Sequence, residues 1–197
     1  MVVKTTYPIL GYPTVHLTNG GVQVIIRPMV PEDRNDLLDF FQRIPAEDRF
    51  YLKEDVTDPR VIERWAETVD YNRTLPLLAI MDKKIVADAT LHRSRAGARR
   101  HVGEIRIVVD PEYRNAGIGR GLLHKIAELA MDKGINKLMF EVIADTEEAA
   151  RRTAIIQGFY PAAVLRDHVQ DMDGRPHDLI IMEMMVTETL PGPLDIY

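Results

Sequence analysis

The chain contains no cysteine. That removes disulfides, thiolate zinc sites, iron–sulfur clusters and a cysteine nucleophile, and it suits a reducing cytoplasm. Serine occurs once, as Ser94 in the basic stretch Arg93 to Arg100, with no G-x-S-x-G around it. The strained elbow of a serine hydrolase therefore has no place to form. No apolar run approaches the ~18–20 residues that span a bilayer. The first residues lack a charged-then-apolar signal pattern, which Pro8 and Pro13 break early. The expectation is a soluble, cytoplasmic protein with no membrane partner.

What is present is ordinary for a globular domain. The 197 residues are 46% hydrophobic and 28% charged, which fits one domain over 1–197 with a core at 22–186, an N-terminal arm at 1–21 and a tail at 187–197. Lys and Arg number 25 against 30 Asp and Glu, a net charge of −5. Such a chain is a poor non-specific nucleic-acid binder and is better matched to a cationic substrate.

Residues 1–20, with prolines at 8 and 13, read as an extended arm ending in the turn Asn19-Gly20-Gly21. The β-branched run 22–27 reads as the first strand. Pro31-Glu32-Asp33 opens a helix whose apolar face is Leu37, Leu38, Phe40, Phe41 and Ile44, and Pro45 stops it. Asp58-Pro59 starts a second helix with Val61, Ile62, Trp65, Ala66 and Val69 on its buried stripe. Residues 77–81 and 85–91 flank a short polar turn as a β-hairpin, and Val102 to Val109 form the next strand. A helix over 117–133 ends at the capping Gly134, and residues 137–143 are a strand. Asp145-Thr146-Glu147-Glu148 has capping-box spacing for a helix ending at Gly158. Residues 159–170 and 177–186 are strands around the turn 171–174. The order β-α-α-β-β-β-α-β-α-β-β predicts an α/β protein of the α+β type: a mixed, mostly antiparallel central sheet of about seven strands with helices on both faces.

The chemistry concentrates at Val108-Val109-Asp110-Pro111-Glu112-Tyr113-Arg114-Asn115-Ala116-Gly117-Ile118-Gly119-Arg120. A strand, a tight glycine-bearing loop and a helix N-terminus present outward-pointing amides, an arrangement that attracts phosphate or pyrophosphate. A G-x-x-x-x-G-K-[ST] loop is absent, and a G-x-G-x-x-G fingerprint fails at Leu122. What remains is R-x-x-G-x-G, carried by Arg114, Gly117 and Gly119; the plainer reading of the same residues is a strand–helix turn with packing glycines.

These residues resemble the GNAT superfamily of N-acetyltransferases, which use acetyl-CoA. The loop 114–119, the strand 103–109 before it, and the later strand, helix and Gly158-Phe159 pair all match, so the resemblance spans about 22–186. The segment Ile26-Arg27-Pro28 with Pro31-Glu32-Asp33 and Phe40-Phe41 is also similar to the acetyltransferase domain of bacterial protein-lysine acetyltransferases. The resemblance implies a GNAT-like fold and direct transfer of acetyl to a primary amine, on a small molecule or a protein lysine. It implies that amides of Arg114, Asn115, Ala116, Gly117, Ile118 and Gly119, with Arg120 nearby, hold the CoA pyrophosphate. It also implies that Ile107, Val108 and Val109 pair with the pantetheine arm and supply an oxyanion-stabilising N–H. Partners are then acetyl-CoA and an amine acceptor, with a homodimer allowed.

Two features depart from the family. The tyrosine that acts as general acid for the leaving thiolate would stand at 154, where the chain has Ala154, and Glu147 stands near the place of a family asparagine. Glu104 is the first candidate for the base that deprotonates the amine; the competing reading is a same-face pair with Arg106, two residues on. His168 and His177, read as nearly opposite on the last two strands beside Asp167 and Asp178, form the second candidate site, or a polar hairpin face. Asp88 is a third. No H-E-x-x-H exists and the calcium-loop pattern fails at Val169, so no metal is expected. The arginines of 93–100 read as a solvated loop ahead of a phosphate clamp. The missing tyrosine keeps a second class open, a non-catalytic acyl-CoA-binding sensor or regulatory module.

Overall fold

The computed structural model describes residues 7–186. Its strands are β1 (Thr14–Leu17), β2 (Gln23–Pro28), β3 (Thr74–Met81), β4 (Lys84–Arg93), β5 (Val102–Val109), β6 (Lys137–Ile143), β7 (Tyr160–Gln170) and β8 (Pro176–Met185). The helices are α1 (Arg34–Arg43), α2 (Ala46–Arg49), α3 (Pro59–Thr68), α4 (Ile118–Asp132) and α5 (Glu148–Ile156). The strands form one open mixed sheet in the order β1-β2-β3-β4-β5-β6-β8-β7. β1–β2, β2–β3, β6–β8 and β7–β8 pair antiparallel, and β5–β6 pair parallel.

The sheet thus has eight strands, one more than the sequence pattern predicts. The extra one is β1, inside the stretch read as an arm. It is four residues long and lies at the sheet edge, Thr14 opposite Ile26 and Leu17 opposite Gln23. Such a strand is set by its partner, and its own run is too short to carry a periodic signal. The helix α2, also four residues long, is too short to carry a periodic signal. The tail 187–197 lies outside the described residues.

The described residues divide into two compact units: one holds those up to Thr90 with Ile107–Leu122, the other Leu91–Arg106 with those from Leu123 to Val186. In the first, Leu37, Phe40, Phe41 and Ile44 of the predicted α1 face are buried with Ile62 and Ala66 of α3, and Trp65 and Val108 pack against that cluster. Trp65 is partly buried with one polar handle: its ring meets Phe41 edge-on at 6.0 Å, and its indole N–H donates to Glu54 Oε2 at 2.7 Å. Asp58 caps α3 by accepting the Arg60 N–H at 2.9 Å. The acid at the start of α1 does more than meet the helix dipole. Asp33, 5% exposed, takes two 2.6 Å bonds from the Arg27 guanidinium and a 2.8 Å bond from the Val30 N–H.

In the second unit, Leu138, Ala154 and Met182 are fully buried, and Phe140 meets Phe159 edge-on at 5.0 Å. The capping box predicted at 145–148 does not form. The N-cap of α5 is Glu147, with no side-chain cap bond; Glu147 Oε2 instead accepts the Ile143 N–H at 2.7 Å. Asp145 is drawn off by a histidine from β8, a partner that local spacing cannot reveal.

Candidate active site

The segment from β5 to α4 is shaped by its own residues. Asp110, 2% exposed, accepts the Glu112 N–H at 3.1 Å and so caps a single 3-10 turn, Pro111–Tyr113. The other oxygen of Asp110 takes the Arg43 Nε–H at 3.0 Å, while Arg43 Nη2 donates to the Ile85 carbonyl at 2.6 Å. The last residue of α1 therefore fixes where the loop leaves β5. Beyond the turn the backbone enters the left-handed region at Asn115 (φ 61°) and Gly117 (φ 84°), and α4 starts at Ile118. The amides of Ile118, Gly119 and Arg120 make up its first turn, where no intrahelical carbonyl reaches them. They are donors at the positive end of a 15-residue helix.

The Arg114 N–H, one of the amides expected at the pyrophosphate, donates to the Pro111 carbonyl at 3.3 Å, and the Arg114 side chain is turned back. Its Nε–H donates to the Val109 carbonyl at 3.2 Å and its Nη2 to Asp48 Oδ2 at 2.5 Å. Gly119 faces β5, since a Cβ built there would meet Ile107 and Val109 side chains at an ordinary 3.8 Å. Ile107 and Val109 therefore carry the start of α4, while Val108 packs on the α1–α3 cluster. The parallel ladder pairs Val102, Gly103 and Glu104 with Lys137, Leu138 and Met139. Among the described residues that register ends at Glu104, although β5 runs on to Val109. The later part of β5 thus keeps backbone groups outside the β6 ladder.

Glu104 lies opposite Met139, its side chain 33% exposed. The same-face pairing expected from strand geometry is formed: Arg106 Nη2 donates to Glu104 Oε1 at 2.8 Å. Asp88, on β4, has a different environment. The Thr90 hydroxyl lies 3.3 Å from one of its oxygens, and burial pushes its carboxyl up to about 7, only partly offset by that hydroxyl.

Val169 stands opposite His177, so His168 is one position off that pairing, and the β7–β8 register shifts between Leu165 and Val169. Asp167 sits in that bulge at φ 49°, its N–H donating to Asp178 Oδ1 at 3.0 Å, and Asp178 also pairs with Arg166. His177 instead lies between two carboxylates, Nδ1 2.8 Å from Asp145 and Nε2 3.3 Å from Asp171. Those two bonds, Asp145 first, raise the imidazole above its ordinary range. No group of three or more His, Cys, Asp or Glu able to hold a metal ion occurs among the described residues. Of the arginines in the basic loop, Arg93 donates to the Lys133 carbonyl at 3.2 Å and Arg99 reaches the Met139 sulfur at 3.6 Å.

Comparison with known proteins bears on this geometry. The chain is 33% identical over 81 residues to the ribosomal protein bS18 alanine N-acetyltransferase of Escherichia coli K12, a match covering 41% of this chain and 53% of that protein. The chain thus spans about half the length of the curated relatives it matches. The GNAT domain of S. lividans PAT superposes with a TM-score of 0.73 at 18% identity, over 91% of this chain and 99% of that one. An acetyltransferase structure from Salmonella typhimurium, described as holding its cofactor acetyl-CoA, superposes with a TM-score of 0.70 at 18% identity, over 84% and 95% of the two chains. The model of the acetyltransferase (GNAT) family matches residues 37–159, which takes in α1 from Leu37 onward, the 114–120 loop, α4 and the Gly158-Phe159 pair. With most of the chain inside that match and the strand–loop–helix in the shape its sequence predicts, the protein belongs to the GNAT family of acetyltransferases.

Proposed function

We propose that the protein is an acetyl-CoA-dependent N-acetyltransferase that moves acetyl directly to a primary amine. The observation that carries this is the loop 114–120: two left-handed residues, Asn115 and Gly117, deliver the chain into the first turn of α4, whose amides have no intrahelical acceptor and suit a pyrophosphate. Asn115 to Arg120 would hold that group through backbone N–H, while Arg114 braces the loop from below. The backbone of Ile107, Val108 and Val109 would receive the pantetheine arm and polarise the thioester carbonyl.

In the reaction, the amine lone pair adds to the thioester carbonyl carbon. The tetrahedral oxyanion collapses, the C–S bond breaks and CoA leaves as a thiolate. The amine's proton passes to the Glu104 carboxylate, directly or through one water. Ala154 cannot supply an acid, and a thiol of pKa ~8.5 departs without one. On this reading residues 22–186 work as one catalytic domain, in a cytoplasmic setting; no helix of the described residues is long and apolar enough to cross a membrane.

The acceptor is a small-molecule amine or an amine on a protein. The names of relatives, a ribosomal-protein alanine in one and thialysine in another, span both kinds. The buried Ala154 favours one alternative, an acyl-CoA-binding sensor without turnover. Incubation with acetyl-CoA and a panel of alanine-terminated peptides, lysine peptides and polyamines, reading free CoA, separates the two. CoA released above the hydrolysis background with any acceptor supports the transferase. Tight CoA binding with no release across the panel supports the sensor.

A further inference from the structure

The β1–β2 hairpin reaches the loop that the proposed function assigns to the cofactor. It lies ahead of the residues matched to the family, 37–159, and ~100 residues separate it in sequence from its target. Three consecutive carbonyls of the loop are taken by it. Asn19 Nδ2–H donates to the Asn115 carbonyl at 3.0 Å, the Asn19 backbone N–H to the Ala116 carbonyl at 2.8 Å, and His16 Nε2–H to the Gly117 carbonyl at 3.1 Å. A carbonyl can only accept, so the His16 nitrogen facing it carries the proton. The Asn19 Oδ1 in turn lies 3.4 Å from Arg120 Nη2.

The glycines of the loop are fitted to this hairpin. A Cβ on Gly117 would stand 2.6 Å from Asn19 Oδ1, and one on Gly121 would stand 2.7 Å from the His16 ring. Both distances are too short for any real Cβ. Two of the glycines in the stretch thus make room for Asn19 and His16.

The consequence follows from peptide geometry. In a trans peptide the carbonyl of one residue and the N–H of the next point in opposite directions. Carbonyls 115, 116 and 117 held toward the hairpin therefore turn the N–H groups of Ala116, Gly117 and Ile118 away from it. A donor set already turned outward avoids the ordering cost that a mobile glycine-bearing loop would meet on binding.

We infer that the β1–β2 hairpin is a positioning arm for acetyl-CoA: Asn19 and His16 fix the loop carbonyls on one side so that its amides are presented, preassembled, to the pyrophosphate on the other. Neither residue touches the reacting atoms. This rests on the assignment of the loop to the cofactor, and the test separates the two.

CoA affinity is measured by calorimetry for the wild type and for Asn19→Ala, His16→Leu and His16→Gln, the last keeping an amide N–H within reach of the Gly117 carbonyl. Turnover is measured with acetyl-CoA and with acetyl-pantetheine, a thioester that lacks the pyrophosphate. Asn19→Ala and His16→Leu are expected to weaken CoA binding about tenfold each, the scale of a lost hydrogen bond. They raise the KM for acetyl-CoA in step, with kcat at saturation little changed. His16→Gln restores most of the affinity. The kcat/KM for acetyl-pantetheine stays near wild type, because there is no pyrophosphate to lose. CoA affinity unchanged in both Asn19→Ala and His16→Leu overturns the inference. So does an equal loss with acetyl-CoA and acetyl-pantetheine, which marks a general structural effect, or a His16→Gln as weak as His16→Leu. A wild type without measurable CoA affinity overturns the cofactor assignment itself.

Discussion

Glu104 and Asp88 are acids on neighbouring strands of the sheet order, and they differ in what balances their charge. Glu104 accepts a 2.8 Å bond from the Arg106 guanidinium, which anchors it. If it also takes the amine's proton, Glu104→Gln lowers turnover on the order of 10²–10⁴-fold near neutral pH. The loss shrinks at high pH, where the amine arrives already deprotonated, and CoA affinity is unchanged. A parallel pH–rate profile with less than about a fivefold loss, well below general-base magnitudes, leaves Glu104 as a partner of Arg106 alone. Asp88 has a hydroxyl where Glu104 has a cation, and its carboxyl is raised from 3.8 to about 7. The sign is that of an acid whose proton is held more tightly in the fold. Stability is full below the unfolded value, falls as pH rises toward about 7, and is flat above. Asp88→Asn stays neutral throughout. It is expected to match the wild type near the unfolded value and to be more stable at pH ~8, by on the order of 1–4 kcal/mol in denaturant titrations at the two pH values. An equal effect at both would show that the folded carboxyl titrates normally. At position 154 the expectation is loss: Ala154 is 0% exposed, so Ala154→Tyr overpacks the core. The variant should lower the melting temperature by an amount corresponding to about 1–3 kcal/mol and supply no useful acid. A tyrosine there that raises kcat without lowering the melting temperature would show that the site opens.

Elements differ in how far their own residues specify them. α1, α3 and β2 to β6 were legible because each carries its own pattern: Leu37, Phe40 and Phe41 at helical spacing, Asp58-Pro59 as a start, β-branched runs closed by turns. The Asp82-Lys83 turn, both residues at positive φ (48° and 65°), sits where the polar break between β3 and β4 placed it. Elements fixed by remote partners were not legible. β1 exists through β2, the bulge in β7 through Asp178, and the start of α5 gave up Asp145 to His177. The site divides in the same way. The loop and its preceding strand were readable as a local motif, whereas Arg114's engagement by Asp48 and the role of Asn19 and His16 join residues 66 to 101 positions apart. His177 gives the β7–β8 hairpin a pH dependence. Its value is raised by Asp145 and then Asp171, so its contribution to stability is fully present below the unfolded imidazole value and is lost as pH rises through the folded one. His177→Gln should therefore cost more melting temperature near pH ~6 than near pH ~9, on either side of that window. Equal costs at the two values would mean the imidazole is held neutral.

At the scale of the whole molecule, the boundaries between the two compact units are informative. They fall at Thr90/Leu91, Arg106/Ile107 and Leu122/Leu123, which lie inside β4, inside β5 and inside α4. Domain boundaries ordinarily fall in exposed linkers that few contacts cross. The proposed single catalytic domain carries a thermodynamic expectation: scanning calorimetry shows one transition, with calorimetric and van't Hoff enthalpies equal. On the proposed assignment of CoA to the 114–120 loop, the cofactor should raise that single transition as a whole. At a concentration about 100 times its dissociation constant the gain is ~2.7 kcal/mol, or a shift of roughly 5–10 °C for a chain of this size. Two transitions, with CoA moving only the one that reports on the unit containing Ile107–Leu122, would show that the units unfold independently and would overturn the single-domain reading. Asn19→Ala gives the same experiment a second axis. It should leave the transition without CoA near its wild-type position and shorten the shift that CoA produces, because the loop that receives the cofactor must then be ordered at the cofactor's expense.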